Sequence, residues 1–251
     1  MALQKGPVFQ KASEAVSDLN KSLDNKVHIW IVDFRSQTEQ VNDLEELLSA
    51  DELRRANIYA TRHLRDSFVI ARGYLRRVLS TWVHIDAKEI KFKYSPFGKP
   101  EIDDPRGNLV QFNLSHSDNY FAIAVSNYFP VGIDIEFCCS EMEVYNVAQH
   151  IMTSNEFSCF SSLKNEFQRK QFFNIWTAKE SLVKAIGRGL SVNLQDIEVD
   201  YSKGTFIFKA EEQGISPKNW YFSHYEFDYN YSLTISSPVS NLEIFFHSKL
   251  S

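Results

Sequence analysis

The sequence predicts an α+β fold, because helical and strand patterns are mixed along the chain without strict βαβ alternation. Long stretches with apolar residues at helical spacing stand among short runs rich in β-branched and aromatic residues. Apolar residues make up 43% of the 251 residues, which is enough to build a sizeable core. The stretch at 127–130, which contains the turn formers Asn127 and Pro130, predicts a division of the chain into parts covering 1–128 and 129–251.

The first part reads as one strand, two helices and then a pair of strands. Residues 27–34 (VHIWIVDF) are apolar and β-branched, which predicts the first strand. Residues 62–82 carry apolar side chains close to the helical period and predict one long helix. Residues 95–100 are dense in turn formers and predict a loop. The other elements predicted here are a helix at 43–56 and strands at 110–114 and 120–126, which flank a turn at Ser115-His116-Ser117.

The second part begins with a short strand at 131–137 and a helix at 144–152. Thr153 and Glu156 have the spacing of a capping box, which predicts the start of a further helix. A long helix is predicted at 168–186, and Gly187 and Gly189 end it. From residue 197 onward polar and apolar residues alternate, which predicts an antiparallel meander ending at 242–246.

Composition excludes several classes of protein. The formal net charge of −5 argues against a generally basic nucleic-acid binder. The polar lead at 1–25 lacks the apolar core of a signal peptide, and no stretch approaches the length of a membrane helix. The three cysteines, of which Cys138 and Cys139 are adjacent, make a poor disulfide framework and favour a reducing compartment. We therefore expect a soluble, cytoplasmic protein without nucleic-acid or membrane partners.

The charge is concentrated in one segment. Residues 54–77 contain seven arginines against a single acid, Asp66. One interpretation is a solvated helix face that pairs with acids elsewhere. The other is a site for a polyanion, since the planar guanidinium donates two hydrogen bonds at once to a phosphate.

Two carboxylates are placed together on the strand at 131–137. Side chains two residues apart share one face of a strand, so Asp134 and Glu136 point the same way and Ile133 and Ile135 point the other way. Two carboxylates this close repel each other unless a cation lies between them. Oxygen ligands suit Mg²⁺, which completes its shell with water and substrate phosphate. The alternative is an exposed acidic strand edge.

The long helix at 168–186 carries Trp176, Glu180 and Lys184 along one ridge, because they are four residues apart. A glutamate and a lysine at this spacing are usually a surface ion pair. A carboxylate beside an aromatic side chain and a lysine would also suit a metal ligand and a phosphate clamp.

Two further segments carry polar groups on turns. Ser115 next to His116 invites a hydrolase interpretation, but the Gly-x-Ser-x-Gly elbow of such enzymes is missing. A turn whose hydroxyl and imidazole donate to a phosphate is the more natural interpretation. Gly98-Lys99-Pro100 places a lysine on a rigid loop and by itself indicates little.

The order of these four segments along the chain is specific enough to indicate one protein family. Phe-Gly-Lys-Pro at 97–100, Asn-Leu-Ser-His-Ser at 113–117, Gly-Ile-Asp-Ile-Glu at 132–136 and Trp-Thr-Ala-Lys-Glu-Ser-Leu-Val-Lys-Ala at 176–185 resemble the 4′-phosphopantetheinyl transferase superfamily. The chain length resembles its larger, pseudo-dimeric Sfp-type class. The resemblance implies two similar α+β halves about a pseudo-twofold axis, with the active site at their junction. It also implies transfer of the phosphopantetheine arm of coenzyme A to a serine of an apo acyl, peptidyl or polyketide carrier protein, with release of 3′,5′-ADP.

The resemblance also implies roles for individual residues. Asp134, Glu136 and Glu180 would bind Mg²⁺, with Mn²⁺ as an alternative ion, on the pyrophosphate of coenzyme A. Asp134, Glu180 and Lys184 would be catalytic. Lys184 would contact the pyrophosphate and stabilise the leaving oxygen, and Glu180 would be the base for the incoming serine, directly or through water.

Further residues would bind coenzyme A by the same resemblance. Ser115 and His116 would hold its phosphates, with His116 on the 3′-phosphate. Arg62 or Arg65 would also reach the 3′-phosphate, and the resemblance does not choose between them. The residues expected near the nucleotide are Gly98, Lys99 and Pro100.

Two alternatives and one departure stand beside this interpretation. A metal-dependent phosphohydrolase of nucleotides or coenzyme A would use the same acids and basic residues. A non-catalytic module that binds coenzyme A or a carrier protein is disfavoured, because the three carboxylates and Lys184 are all present. Many relatives have a basic residue soon after the Asp-x-Glu motif, whereas Phe-Cys-Cys-Ser-Glu follows at 137–141, which puts a carrier contact there in doubt. We expect a monomer, because both halves lie in one chain.

Overall fold

The computed structural model describes residues 25–107, 109–139, 142–209, 220–228 and 230–247. The polar lead predicted at 1–25 lies outside these ranges except for its last residue. The described chain is an α+β structure with two main sheets and two 22-residue helices. The α+β class predicted from the sequence is therefore confirmed.

The first sheet has the strand order β11-β1-β5-β4. Its strands are β1 (Lys26–Asp33), β4 (Val110–Ser117), β5 (Tyr120–Asn127) and β11 (Glu243–His247). A separate two-stranded sheet joins β2 (Phe92–Tyr94) to β3 (Pro100–Ile102), and the predicted loop at 95–100 connects them.

The helices of the first part are α1 (Val41–Glu45), α2 (Ala50–Ala56) and α3 (Arg62–Val83). The single helix predicted at 43–56 is wrong, because the chain makes two short helices there. Ser49 caps the second of them and forms a capping box with Glu52, so a new helix begins in the middle of the predicted one.

The second sheet has the order β6-β10-β9-β8-β7. Its strands are β6 (Gly132–Phe137), β7 (Ile197–Asp200), β8 (Thr205–Phe208), β9 (Tyr221–Phe227) and β10 (Tyr231–Ser237). Its helices are α4 (Val144–Ile151), α5 (Ser154–Ser162) and α6 (Asn165–Ile186). The predicted capping box of Thr153 and Glu156 is present, and Gly187 ends α6 in the left-handed region at φ 76°.

Two predictions about strands need correction. The turn predicted at Ser115-His116-Ser117 is part of β4, and the chain reverses only at Asp118 and Asn119. The last strand also leaves the predicted meander, because β11 pairs in parallel with β1 of the first sheet. The division at residue 128 stays a prediction, and β11 is a segment from beyond it that lies in the first sheet.

Three apolar clusters form the core of the described part of the chain. One packs α3 on the outer face of the first sheet, and one surrounds α6 beside the second sheet. The third lies between the sheets and contains Val27, Ile29, Ile133, Ile135 and Leu233, all fully buried. Ile133 and Ile135 therefore face this central core, which turns Asp134 and Glu136 to the opposite side of β6.

Two β-hairpins exchange equivalent contacts at the junction. Asp118 and Asp228 stand at the turns of β4–β5 and β9–β10 with φ of 50° and 49°. Tyr231 Oη donates to Asp118 Oδ2 at 2.8 Å, and Tyr120 Oη donates to Asp228 Oδ2 at 3.3 Å. The two tyrosine rings meet edge to face at 5.0 Å. Such reciprocal pairing is what a twofold relation between two hairpins produces, and it supports the pseudo-twofold arrangement.

The glycine that opens the Gly-Ile-Asp-Ile-Glu segment lets β6 lie directly against α6. A Cβ atom on Gly132 would stand 1.9 Å from the Ser181 carbonyl oxygen and 2.6 Å from the Ala185 nitrogen. We expect Gly132→Ala to lower the free energy of unfolding by about 3 kcal/mol, at the upper end of overpacking effects, because both obstacles are backbone atoms that cannot turn away. Urea denaturation measures this, and an unchanged midpoint would refute the contact.

Candidate active site

The strands β4 and β6 lie side by side where the two sheets meet, yet no main-chain ladder joins them over the described residues. Side chains of β4 replace the ladder. Asn113 Oδ1 accepts a hydrogen bond from Ile133 N at 3.0 Å, and Ser117 Oγ accepts one from Phe137 N at 3.0 Å. This junction brings polar groups from both parts of the chain to one place.

A cavity of about 300 Å³ opens at this junction. Strand β4, strand β6 and helix α6 each contribute to its wall, since α6 packs along β6. The residues that line it are Leu114, Ser115, His116, Asp134, Glu136, Trp176, Glu180 and Lys184. Three separate segments picked out in the sequence therefore meet in one site.

Asp134 is the most buried acid of the cavity, with 2% of its surface exposed. Its Oδ1 accepts hydrogen bonds from Lys184 Nζ at 2.6 Å and from Ser115 Oγ at 2.8 Å. Its Oδ2 is buried and has no hydrogen-bond partner among the described residues. Burial raises the pKa of the Asp134 carboxyl, and Lys184 opposes this rise. Among the described residues, Asp134 Oδ2 is thus left without a hydrogen-bond donor.

The other two acids of the cavity differ in how they are held. Glu136 accepts from Ser117 Oγ at 2.7 Å and from Trp176 Nε1 at 3.4 Å. No hydrogen-bond or ion-pair partner of Glu180 is found among the residues that the structure describes. Burial raises the pKa of both carboxyl groups, and the neighbouring charge of Asp134 raises each further.

The surroundings of the cavity histidine disfavour its charged form. Burial lowers the pKa of the His116 imidazole, and the positive charge of Lys184 lowers it further. A neutral imidazole can still donate one hydrogen bond to an anion, and an approaching phosphate would favour its protonation.

The donor set fits a hard divalent cation. Three carboxylates face one cavity, one of their oxygens is buried without a donor, and a cation among them would reverse the rise in their pKa values. As placed, no three acidic, histidine or cysteine groups of the described chain stand close enough together to hold a metal ion between them. Lys184 Nζ instead forms an ion pair with Asp134 Oδ1.

The loop predicted near a nucleotide lies at the end of α6 rather than in the cavity wall. Lys99 Nζ donates to the Ala185 carbonyl oxygen at 2.9 Å, and Gly98 adopts φ 85° in the turn before it. Burial lowers the pKa of Lys99 to about 8. Lys99 and Pro100 line a separate small depression with Gly107 and Phe112.

The two arginines of which one is predicted to reach the 3′-phosphate line another depression. Arg62 and Arg65 share it with Asn42 and with Asp66, which pairs with both arginines. None of the residues that line the junction cavity belongs to this depression. A role of Arg62 or Arg65 in binding the 3′-phosphate stays a prediction.

Two arginines of the basic segment at 54–77 belong neither to a solvated helix face nor to a polyanion site. Arg72 and Arg76 are buried, and their Nε atoms donate to the two oxygens of the buried Glu52 at 2.8 and 2.7 Å. Arg76 also donates to the carbonyl oxygens of Ala87 and Ile90. This cluster fixes α2 against α3, so the surface charge of the segment is smaller than the sequence predicts.

Sequence reasoning missed Ser117, which contacts Glu136 directly. The signal was present in the alternation of Asn113, Ser115 and Ser117, three polar residues on one face of a strand. A turn at 115–117 would not place these side chains on one face, whereas the strand that forms there does.

Sequence comparison assigns most of the chain to one family. The family model described as 4′-phosphopantetheinyl transferase superfamily matches residues 130–236. A second, described as 4′-phosphopantetheinyl transferase, N-terminal, matches residues 33–128.

None of the described helices is long and apolar enough to cross a membrane.

Curated relatives carry the same name. The 4′-phosphopantetheinyl transferase HetI of Nostoc sp. is 34% identical over 178 residues, covering 70% of this chain and 75% of HetI. The transferase Sfp of Bacillus subtilis is 29% identical and covers 64% of this chain and 69% of its own. The transferase gsp of Aneurinibacillus migulanus is 35% identical, with 58% and 57% covered.

Among solved structures, a holo-(acyl-carrier-protein) synthase from Bacillus anthracis in complex with CoA (3′,5′-ADP) is similar at a TM-score of 0.35 and 24% identity, covering 43% of this chain and 93% of that one. The identity and coverage of HetI, together with the two adjoining family matches, decide the assignment. The chain belongs to the 4′-phosphopantetheinyl transferase superfamily and to its Sfp-type class.

Proposed function

We propose that this protein transfers the 4′-phosphopantetheine moiety of coenzyme A to a serine hydroxyl of an apo carrier protein and releases 3′,5′-ADP. The observation that supports this most directly is the cavity in which three carboxylates, Lys184 and His116 meet between the two sheets. A pyrophosphate needs both positive charge and a metal-binding group, and this cavity offers both.

The acids Asp134, Glu136 and Glu180 would hold Mg²⁺ or Mn²⁺. A bound divalent ion would neutralise the charge of the pyrophosphate and orient it for attack. Asp134, whose free oxygen is buried, and Glu136, whose carboxylate is held by neutral donors, are preorganised for this task. Lys184 lies within hydrogen-bond distance of Asp134 and Ser115, so its ammonium can move to a phosphate oxygen without leaving the cavity.

Glu180 is the candidate base. The serine oxygen of the carrier would form a bond to the β-phosphorus of coenzyme A, the bond from that phosphorus to the 3′,5′-ADP oxygen would break, and the serine proton would pass to a carboxylate. Glu180 lines the cavity and has no hydrogen-bond or ion-pair partner among the described residues, so its carboxylate can accept the serine proton directly or through water. Lys184 would stabilise the charge on the leaving oxygen.

Ser115 and His116 would donate to the phosphates of coenzyme A. Lys99, Gly98 and Pro100 would support the nucleotide, and Arg62 or Arg65 would contact its 3′-phosphate. The protein would work as a monomer in the cytoplasm, where free thiols such as Cys138 and Cys159 persist.

Mass spectrometry of the carrier tests this function. The protein is mixed with coenzyme A, Mg²⁺ and each of several apo carrier proteins from fatty-acid, polyketide and nonribosomal-peptide systems. We expect a phosphopantetheine adduct on at least one carrier and none when Mg²⁺ is removed with a chelator. Loss of coenzyme A without any adduct would instead support a phosphohydrolase, and no adduct with no loss would support a binding module.

A further inference from the structure

The hydroxyl of Ser117, at the junction of the sheets, is both an acceptor and a donor of a hydrogen bond. Ser117 Oγ accepts a hydrogen bond from Phe137 N at 3.0 Å and donates one to Glu136 Oε2 at 2.7 Å. It thereby joins β4 to the main chain of β6 and to a carboxylate of the cavity. Within the described ranges, Asn113, four residues earlier on the same face of β4, makes only the first kind of contact, with Ile133 N.

The main-chain bond decides where the Ser117 proton goes. A hydroxyl has one proton to donate and two lone pairs to accept with. Because the N–H of Phe137 occupies one side of the oxygen, the proton is directed towards Glu136. The orientation of this donor is therefore set by the backbone and does not depend on a ligand.

Both oxygens of Glu136 are held by uncharged donors. Ser117 contacts Oε2, and Trp176 Nε1 contacts Oε1 at 3.4 Å from helix α6. The Trp176 ring is stacked on Phe172, with centroids 6.0 Å apart, which limits its rotation. Each of these donors uses one lone pair of its oxygen, and each carboxylate oxygen has a second one. A neutral donor orients the group and leaves its negative charge available, whereas the ammonium of Lys184 on Asp134 competes with an incoming cation.

We propose that Ser117 is a positioning residue of the metal site, which sets the orientation of Glu136 for a divalent cation. The proposal rests on the metal site of the proposed function and assigns it a residue outside the carboxylate set. Partners that orient a metal ligand typically change metal affinity about 10- to 100-fold when removed. The role is expected of Ser117 and not of Asn113, although both close the same junction.

Mn²⁺ binding to the whole protein separates the two roles. Free Mn²⁺ is measured by electron paramagnetic resonance in titrations with and without coenzyme A. Ser117→Ala and Asn113→Ala each leave one main-chain N–H of β6 without its acceptor, so both should lower the urea midpoint. We expect Ser117→Ala to weaken Mn²⁺ binding about 10-fold or more, Asn113→Ala to stay within about two-fold of the parent, and Ser117→Thr to restore binding.

Glu136→Gln tells a failure of this proposal from a failure of the metal site. If the parent protein binds no Mn²⁺, or if Glu136→Gln binds as well as the parent, the metal assignment itself is wrong. If Glu136→Gln weakens binding but Ser117→Ala does not, or if Asn113→Ala weakens it equally, Ser117 has no positioning role. Should Ser117→Ala fail to fold, Ser117→Cys keeps the volume with a much weaker donor, and the same comparison applies.

Discussion

Glu180→Gln should reduce transfer to a carrier protein by about 10²- to 10⁴-fold and leave the protein at least as stable as the parent. The activity falls because the substitution removes the candidate proton acceptor and a charged ligand of the cation, and loss of a general base has this size of effect. The stability does not fall, because the ionised carboxylate is costly in the fold. Burial and the charges of Asp134 and Glu136 raise its pKa, so folding favours the uncharged group.

The sign of this effect follows from linkage. A carboxyl whose pKa is higher in the folded state than in the unfolded chain opposes folding once the pH is above its unfolded value. Glutamine has no such charge, so the free energy of unfolding near neutral pH should stay or rise. Glu166→Gln on the exposed first turn of the same helix is the matched control, with full activity expected. Near-normal transfer by Glu180→Gln would remove the catalytic assignment.

Lys179→Met should lower the free energy of unfolding by about 3–5 kcal/mol, the range for breaking a buried ion pair. The Lys179 ammonium is fully buried and donates to Glu156 Oε2 at 2.6 Å and to the carbonyl oxygens of Ile151 and Leu194 at 2.7 and 2.9 Å. Glu156 in turn accepts from Val199 N at 2.8 Å. Methionine would leave the buried Glu156 carboxylate without its counter-charge and the two carbonyl groups without this donor.

The same helix provides a control with the same chemistry. Lys170 pairs with Glu226 at 2.6 Å, which is also the distance between Lys179 and Glu156. The side chains of Lys170 and Glu226 are 57% and 56% exposed, whereas those of Lys179 and Glu156 are 0% and 6% exposed. Lys170→Met should therefore change the free energy of unfolding by at most about 1 kcal/mol. Urea denaturation of the two variants measures the contrast. Equal losses would show that burial does not set the strength of these pairs.

Periodicity predicted the parts of the site that depend on one element. The alternation of β6 places Ile133 and Ile135 in the core and the two acids in the cavity, because a strand turns successive side chains to opposite faces. The spacing of Trp176, Glu180 and Lys184 places all three on the cavity side of α6 by the helical repeat. Both patterns act over a few residues, so a sequence reveals them.

Long-range pairing escaped the same reasoning. Arg72 and Arg76 look like surface charge until Glu52, twenty or more positions away, is seen between them. The strand β11 continues an alternating pattern of the second part and yet pairs with β1, more than two hundred positions earlier. Neither partner is signalled by local composition.

The sequence by itself determined the α+β class, the two long helices, the faces of β6 and α6, and the motif order by which the chain resembles its family. Each of these depends on the conformational preferences of neighbouring residues. Only the tertiary structure decided that Lys184 rests on Asp134, that Lys99 contacts the end of α6, and that Ser117 joins β4 to Glu136. Those contacts form because burying the apolar faces of the two sheets against each other brings distant polar groups together, and buried polar groups must then find partners among themselves.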